Sequence, residues 1–156
     1  LAKEISHDYE GCHPVLLGVL RGVFCFMADL MRYITIPADV DFMALSYYGG
    51  EDGDAVRVTM DAGMNLRGRH VLLIEDIVDT GMTLSFVLSH LRAFSPASLR
   101  VCTLLDKKVR RLADVQLEYI GFESPDEFLV GYGLDYQEEY RNLPFIALLE
   151  EGRTER

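Results

Sequence analysis

Tryptophan is missing from the 156 residues, cysteine occurs only three times, and basic side chains are few beside acidic ones. Fifteen Lys and Arg against twenty-five Asp and Glu leave a net charge of -10 at pH 7, the wrong sign for generic nucleic-acid binding. Cys12, Cys25 and Cys102 are odd in number, scattered, without metal-ligand spacing and set among apolar neighbours. They read as buried thiols, not as a disulfide frame or a zinc site. No apolar run approaches the roughly 20 residues that cross a bilayer, and no basic-then-apolar leader opens the chain. A cytoplasmic protein without a membrane partner is expected. Leu1 stands where a methionine would begin a complete chain, so the N-terminal segment is expected to be incomplete. Repeats, low-complexity tracts and linker-like stretches are also absent. The length fits one domain of the usual roughly 100 to 200 residues, taken as 1–156. Hydrophobic residues at 49% and charged residues at 26% exclude a disordered, collagenous or disulfide-rich chain.

What is present is an alternation of strand and helix signals. Val15 to Leu20 is a continuous apolar run stopped by Arg21-Gly22, as expected of a strand buried on both faces. Phe24, Met27, Ala28, Leu30 and Met31 follow at helical spacing until Ile36-Pro37 breaks the pattern. A second strand is read at 39–48 and a returning one at Arg57 to Met60. The Gly-Gly-Glu-Asp-Gly-Asp stretch between them has almost nothing to bury and predicts a mobile loop. Val71 to Ile74 reads as the central strand, and Leu84, Val87, Leu88, Leu91 and Phe94 as one helix face ending before Pro96. Further strands are read at Leu99 to Leu105, Leu117 to Phe122 and Phe145 to Leu149. This order predicts an α/β fold, a mostly parallel twisted sheet with helices on both faces.

The chemistry concentrates in Val71-Leu72-Leu73-Ile74-Glu75-Asp76-Ile77-Val78-Asp79-Thr80-Gly81-Met82-Thr83. A buried strand delivers acids to its carboxyl end, where parallel sheets bind ligands. Thr80, Gly81, Met82 and Thr83 then offer backbone N–H groups, two hydroxyls and a positive helix end, a set suited to a phosphate monoester. Carboxylates beside a phosphate repel it unless something intervenes. A sugar phosphate resolves the conflict: Glu75 and Asp76 accept from two ribose hydroxyls or hold a divalent cation, and Asp79 is left for chemistry. Taken singly, Asp79 or Thr80 is a helix cap and the acidic pair a solvated strand end. The ordered thirteen-residue arrangement is far more restrictive than any one of them.

This stretch resembles the phosphoribosyl pyrophosphate signature of the type I phosphoribosyltransferases. Leu20-Arg21-Gly22, Ser46-Tyr47, Lys107, and Pro125 to Asp135 with Arg141 extend the likeness to the 6-oxopurine branch, the hypoxanthine-guanine phosphoribosyltransferases. The resemblance implies the type I phosphoribosyltransferase fold with a small hood, formed by the N-terminal and 125–150 regions and lacking whatever precedes Leu1. It also implies a lid at about 47–57 that closes over the reaction centre and excludes water.

By the same resemblance Glu75 and Asp76 meet the ribose hydroxyls and a metal, and Thr80, Gly81, Met82 and Thr83 wrap the 5′-phosphate. Asp79 is the general base beside the purine imidazole nitrogen. Lys107 donates to purine O6, Phe128 stacks on the base, and the backbone of Leu129 reads its pyrimidine edge. Asp135 serves a second metal site. Leu20, Arg21, Gly22 and Arg141 receive pyrophosphate, with a cis peptide at Leu20-Arg21, and Ser46 and Tyr47 lead into the lid. Outside that context Lys107 belongs to a basic face with Lys108, Arg110 and Arg111, Phe128 to the core and Asp135 to a turn. The family turn usually has lysine at the position of Arg21 and glycine or serine at that of Val23, so this chain departs there.

The implied activity is Mg²⁺-dependent transfer of 5-phosphoribosyl from its pyrophosphate to hypoxanthine or guanine in purine salvage. A 6-amino purine leaves the Lys107 donor unpaired, so adenine is expected to be rejected. Relatives assemble as homodimers or homotetramers, and Tyr33, Phe42 and Phe94 are read as core or interface residues. A regulator that senses the sugar pyrophosphate while binding RNA or DNA would need a basic face, which this composition lacks. A nucleotide-binding module without turnover would not need Asp79, Lys107 and Phe128 together.

Overall fold

A computed structural model describes residues 1–48 and 55–150. The elements are α1 (Ala2–Asp8), β1 (Val15–Leu20), α2 (Phe24–Tyr33), β2 (Asp39–Tyr48), β3 (Ala55–Met60) and β4 (His70–Val78). They continue with α3 (Met82–Arg92), β5 (Ser98–Asp106), a 3-10 turn at Lys108–Arg110, β6 (Tyr119–Glu123), β7 (Leu129–Val130) and β8 (Ala147–Leu148). Six strands form one sheet in the order β3-β2-β1-β4-β5-β6, and β7 and β8 form a separate antiparallel pair. Strands β2, β1, β4, β5 and β6 run parallel, and only β3 is antiparallel. The Gly-Gly-Glu-Asp-Gly-Asp stretch and most of the expected lid lie outside the described residues.

Strand β4 has the expected buried run, Val71 to Ile74, each without solvent exposure. Removing such side chains from water stabilises by about 1.5 to 3 kcal/mol apiece. Their alternation feeds two cores. Leu72 and Ile74 join Leu16, Cys102 and Leu104 beneath α1 and α2. Val71 and Leu73 join Val15, Leu17, Met43 and Val101 beneath α3. Helices therefore cover both faces. The connection after β1 leads to β2 on one side and that after β4 to β5 on the other, so the order reverses between β1 and β4. That reversal opens a crevice at the carboxyl ends of the strands.

Three sequence readings need correction. Helix α2 buries Phe26, Met27 and Leu30, whereas Phe24, Ala28 and Met31 are exposed. The helix is apolar nearly all round, so spacing alone did not select its inner face. Only Cys102 is buried; Cys12 and Cys25 are half-buried. Tyr33 is 71% exposed at the end of α2, and Phe94 lies beyond α3 with its edge against His90, so neither is core. Phe42 packs against the α2 side of the core. Helix α1, which the pattern did not predict, is tied down by its own polar contacts: Ser6 Oγ accepts from Thr35 N–H at 3.0 Å, and Tyr119 donates to Asp8 at 2.8 Å.

Candidate active site

The crevice is a cleft of about 970 Å³ at the carboxyl ends of β1, β2 and β4. It gathers Leu20, Arg21 and Gly22 from the end of β1, Ser46 from β2, and Glu75, Asp76, Asp79, Thr80, Gly81 and Thr83 from β4 and the start of α3. Lys107, Phe128, Leu129, Asp135 and Arg141 complete the wall. Of the residues expected there, Met82 stands outside it, 60% exposed, and contributes a backbone N–H that donates to Thr80 Oγ1 at 3.4 Å. Tyr47 is placed by its backbone on β2, opposite Val56. Thr59 and Glu138 also line the cleft and were not singled out from the sequence.

The turn after β1 is built for close approach. The Leu20-Arg21 peptide is cis. A Cβ on Gly22 would lie 1.6 Å from Asp76 Oδ2, so only glycine lets this loop pass against the acid. Gly81 has φ +80° as the residue preceding α3, and its Cβ would meet the Arg111 side chain at 2.9 Å. Residues 107–113 brace that loop from behind. Lys107 N–H donates to Val78 O at 2.9 Å, and Leu112 and Ala113 N–H both donate to Thr80 O. Arg111 Nε donates to Asp79 O at 3.1 Å, and its other end pairs with the buried Asp106.

The electrostatics of the cleft are unsatisfied. Burial first, and then Asp76 beside it, pushes the Glu75 carboxyl well above its usual range. Burial pushes Asp76 up to about 6, against N–H donation from Ile77 and the attraction of Arg141. Two adjacent acids held this way favour a cation or hydroxyl donors as neighbours. Asp79 Oδ2 accepts from Arg110 Nη1 at 3.2 Å, whereas buried Asp79 Oδ1 has no hydrogen-bond partner among the described residues. Ser46 Oγ and Arg141 Nε are likewise buried and, among the described residues, unpartnered. Buried polar atoms are normally satisfied, and these three border one cleft.

Arg141 donates to Gly133 O at 2.8 Å and pairs with Asp135 at 2.8 Å. Lys107 is 5% exposed, and Phe128 is 47% exposed with its ring edge-on to Tyr136. A buried ammonium and an open aromatic face on one cleft suit a flat base carrying a carbonyl. Among the described residues no three His, Cys, Asp or Glu side chains converge to form a complete metal cage. Glu75, Asp76 and Asp135 instead supply hard oxygens of the kind Mg²⁺ uses one or two at a time, with water and substrate phosphate filling the rest.

Fold and site together define an α/β protein whose cleft, at the switch point of its sheet, carries a loop suited to a phosphate, an acid pair suited to sugar hydroxyls and an open aromatic face suited to a planar base. The sequence model of the phosphoribosyl transferase domain matches residues 1–137. The chain belongs to that family. It is 47% identical over 158 residues to the hypoxanthine phosphoribosyltransferase of Salmonella typhimurium, covering 97% of this chain and 89% of that protein. It is 43% identical to the hypoxanthine-guanine phosphoribosyltransferase of Bacillus subtilis, covering 96% and 84%. A crystal structure of a hypoxanthine-guanine phosphoribosyltransferase from Bacillus anthracis superimposes with a TM-score of 0.91 at 45% identity, over 96% of this chain and 89% of that one.

Proposed function

We propose that this phosphoribosyltransferase moves the 5-phosphoribosyl group from phosphoribosyl pyrophosphate to N9 of hypoxanthine or guanine, giving IMP or GMP and pyrophosphate in purine salvage. The observation that carries the reading is the meeting of acid pair, Thr80–Thr83 loop, Lys107 and Phe128 in one cleft. The named activities of the relatives agree with it.

Glu75 and Asp76 take the ribose hydroxyls, and donors from Thr80, Gly81, Met82 and Thr83 take the 5′-phosphate. The bond from C1′ to the pyrophosphate oxygen breaks while the bond from C1′ to N9 forms. Asp79 Oδ1, buried and without a partner among the described residues, accepts the proton that the purine imidazole loses. A base so placed supplies about 10² to 10⁴ in rate. Lys107 donates to O6, Phe128 stacks on the ring, and the Leu129 backbone reads the pyrimidine edge. Arg21, the Gly22 turn and Arg141 hold the departing pyrophosphate. Glu75 and Asp76, with Asp135 at a second site, would hold Mg²⁺, which would supply neutralising charge to the pyrophosphate when bound. Ser46 and Tyr47 open the lid segment, which keeps water from the cationic sugar carbon. The hood is drawn from the N-terminal and 125–150 regions of the single 1–156 domain.

No helix among the described residues is long and apolar enough to cross a membrane, and the net charge of -10 disfavours nucleic acid. A cytoplasmic homodimer or homotetramer acting on small molecules is the accompanying proposal, and light scattering on the purified chain tests its assembly. The deciding experiment incubates the protein with phosphoribosyl pyrophosphate, Mg²⁺ and, separately, hypoxanthine, guanine, xanthine and adenine, following nucleotide formation by absorbance. Turnover of hypoxanthine or guanine without adenine is the expected outcome. Turnover of adenine alone, or of none of the four, overturns the reading.

A further inference from the structure

Glu138 occupies the cationic end of the cleft. Its Oε2 accepts from Arg21 Nη1 at 2.8 Å and from Arg141 Nη2 at 3.4 Å. One carboxylate oxygen thus ties together the two guanidinium groups assigned above to the departing pyrophosphate. The backbone that presents it is unusual. Gln137 and Glu138 have φ of 53° and 67°, a conformation uncommon for residues other than glycine, asparagine and aspartate. They form the centre of a two-residue turn closed by Tyr136 N–H to Glu139 O at 3.2 Å and Glu139 N–H to Tyr136 O at 3.0 Å. Turns of that kind favour Asn-Gly. The surroundings hold this one in place: Glu138 N–H donates to Asp135 Oδ2 at 2.9 Å, and Asp135 in turn pairs with Arg141. Backbone held in a sparsely populated conformation beside a site points to use rather than chance.

We propose that Glu138 is a specificity-determining counter-anion, an internal stand-in that an incoming ligand must displace from Arg21 and Arg141. The proposal rests on the reading that these two arginines bind pyrophosphate. A carboxylate offers one negative charge and two closely spaced oxygens. A diphosphate carries more charge, spread over two phosphorus centres, and engages both guanidinium groups at once. Inorganic phosphate offers one centre and gains little over the carboxylate already there. Glu138 therefore sets a threshold that the diphosphate of the sugar donor crosses and a single phosphate does not. Because exposed ion pairs are individually weak, a multiply charged ligand overcomes the threshold easily.

Isothermal titration calorimetry with pyrophosphate in Mg²⁺, and separately with inorganic phosphate, tests this on the wild type, Glu138→Gln, Glu138→Asp and Glu139→Gln. Glu139 has the same charge in the same turn but no ion pair to either arginine among the described residues. Glu138→Gln is expected to tighten inorganic phosphate about ten-fold and pyrophosphate about three-fold or less, narrowing the preference between them. Glu138→Asp should restore most of the preference, and Glu139→Gln should leave it as in the wild type. A circular-dichroism melt of each variant separates these effects from unfolding. Equal shifts in Glu138→Gln and Glu139→Gln, or an unchanged preference in Glu138→Gln, overturn the counter-anion. Arg21→Gln and Arg141→Gln provide the other arm. If both bind pyrophosphate as the wild type does, the arginine assignment fails and the counter-anion with it. If both lose pyrophosphate while Glu138→Gln keeps the wild-type preference, only the counter-anion fails.

Discussion

The two ends of the same sheet are finished differently. At the amino end the protein answers its own charges. Arg69 pairs with Asp39 at 2.7 Å, His13 approaches the same carboxylate, and His70 Nδ1 meets Ser98 Oγ at 2.8 Å. At the carboxyl end Glu75 and Asp76 are held in surroundings that disfavour their ionised forms, and Asp79 Oδ1, Ser46 Oγ and Arg141 Nε have no partners among the described residues. The amino end pairs most of its polar groups within the protein, and the carboxyl end gathers several that are open to a ligand. Burial is comparable at the two ends of β4, so hydrophobicity alone does not separate them. The number of unpartnered buried atoms does: among the described residues three border the cleft, against the Tyr9 hydroxyl beside His70 at the amino end.

That contrast is open to attack from both ends. Asp79→Asn should lower turnover by about 10² to 10⁴ while phosphoribosyl pyrophosphate still binds by calorimetry; near-normal turnover would remove the base from the carboxyl end. Gly22→Ala places a Cβ where Asp76 Oδ2 now lies, and misplacing that acid should cost about a hundred-fold in kcat/KM. A neutral outcome in steady-state assays would mean the close approach is dispensable.

Arg110→Ala frees the Asp79 oxygen it now holds and should reduce kcat by about ten-fold or less with KM for purine nearly constant. At the other end, Gly68→Ala meets no atoms within 4 Å but must adopt φ +68°, costing about 1 kcal/mol of stability. Denaturant titration should show that loss, and turnover should be unchanged.

The smallest effect is expected at Asp39. Hydrogen bonding from Arg69, aided by His13, holds its carboxyl below the usual range. A depressed carboxylate contributes stability above the unfolded value of about 3.9 and loses it as pH falls through the folded value. Asp39→Asn should therefore lower Tm slightly at neutral pH. The gap from the wild type should close under acid conditions, and a gap that widens on acidification would contradict the pairing.

Much of this architecture is legible along the chain because its determinants are local. The β4 to α3 stretch is contiguous, so apolar run, acids and the Thr-Gly-Met-Thr loop proposed to hold phosphate announce themselves in thirteen letters. Other parts leave no such trace. Helix α1 is only seven residues long and buries Ile5 and Ser6, too few for a periodic signal. Strands β7 and β8 have two residues each. Thr59 reaches the cleft from an antiparallel strand whose alternation says nothing about a ligand. Glu138 looks like one more charge in an acidic segment, and its meaning lies in Arg21, 117 residues away. Arg110 reads as part of a basic cluster until it is seen against Asp79.

By itself the order of residues determined the strand-helix alternation, the two-sided burial of β4 and the acid-bearing strand end that opens α3 through Thr80-Gly81, since each depends on neighbours within a few turns of chain. Tertiary structure alone decided which acids remain unpaired, which arginines share a carboxylate and which face of α2 turns inward. Those outcomes depend on distances between segments that meet only when the sheet order reverses between β1 and β4 and brings its carboxyl ends together.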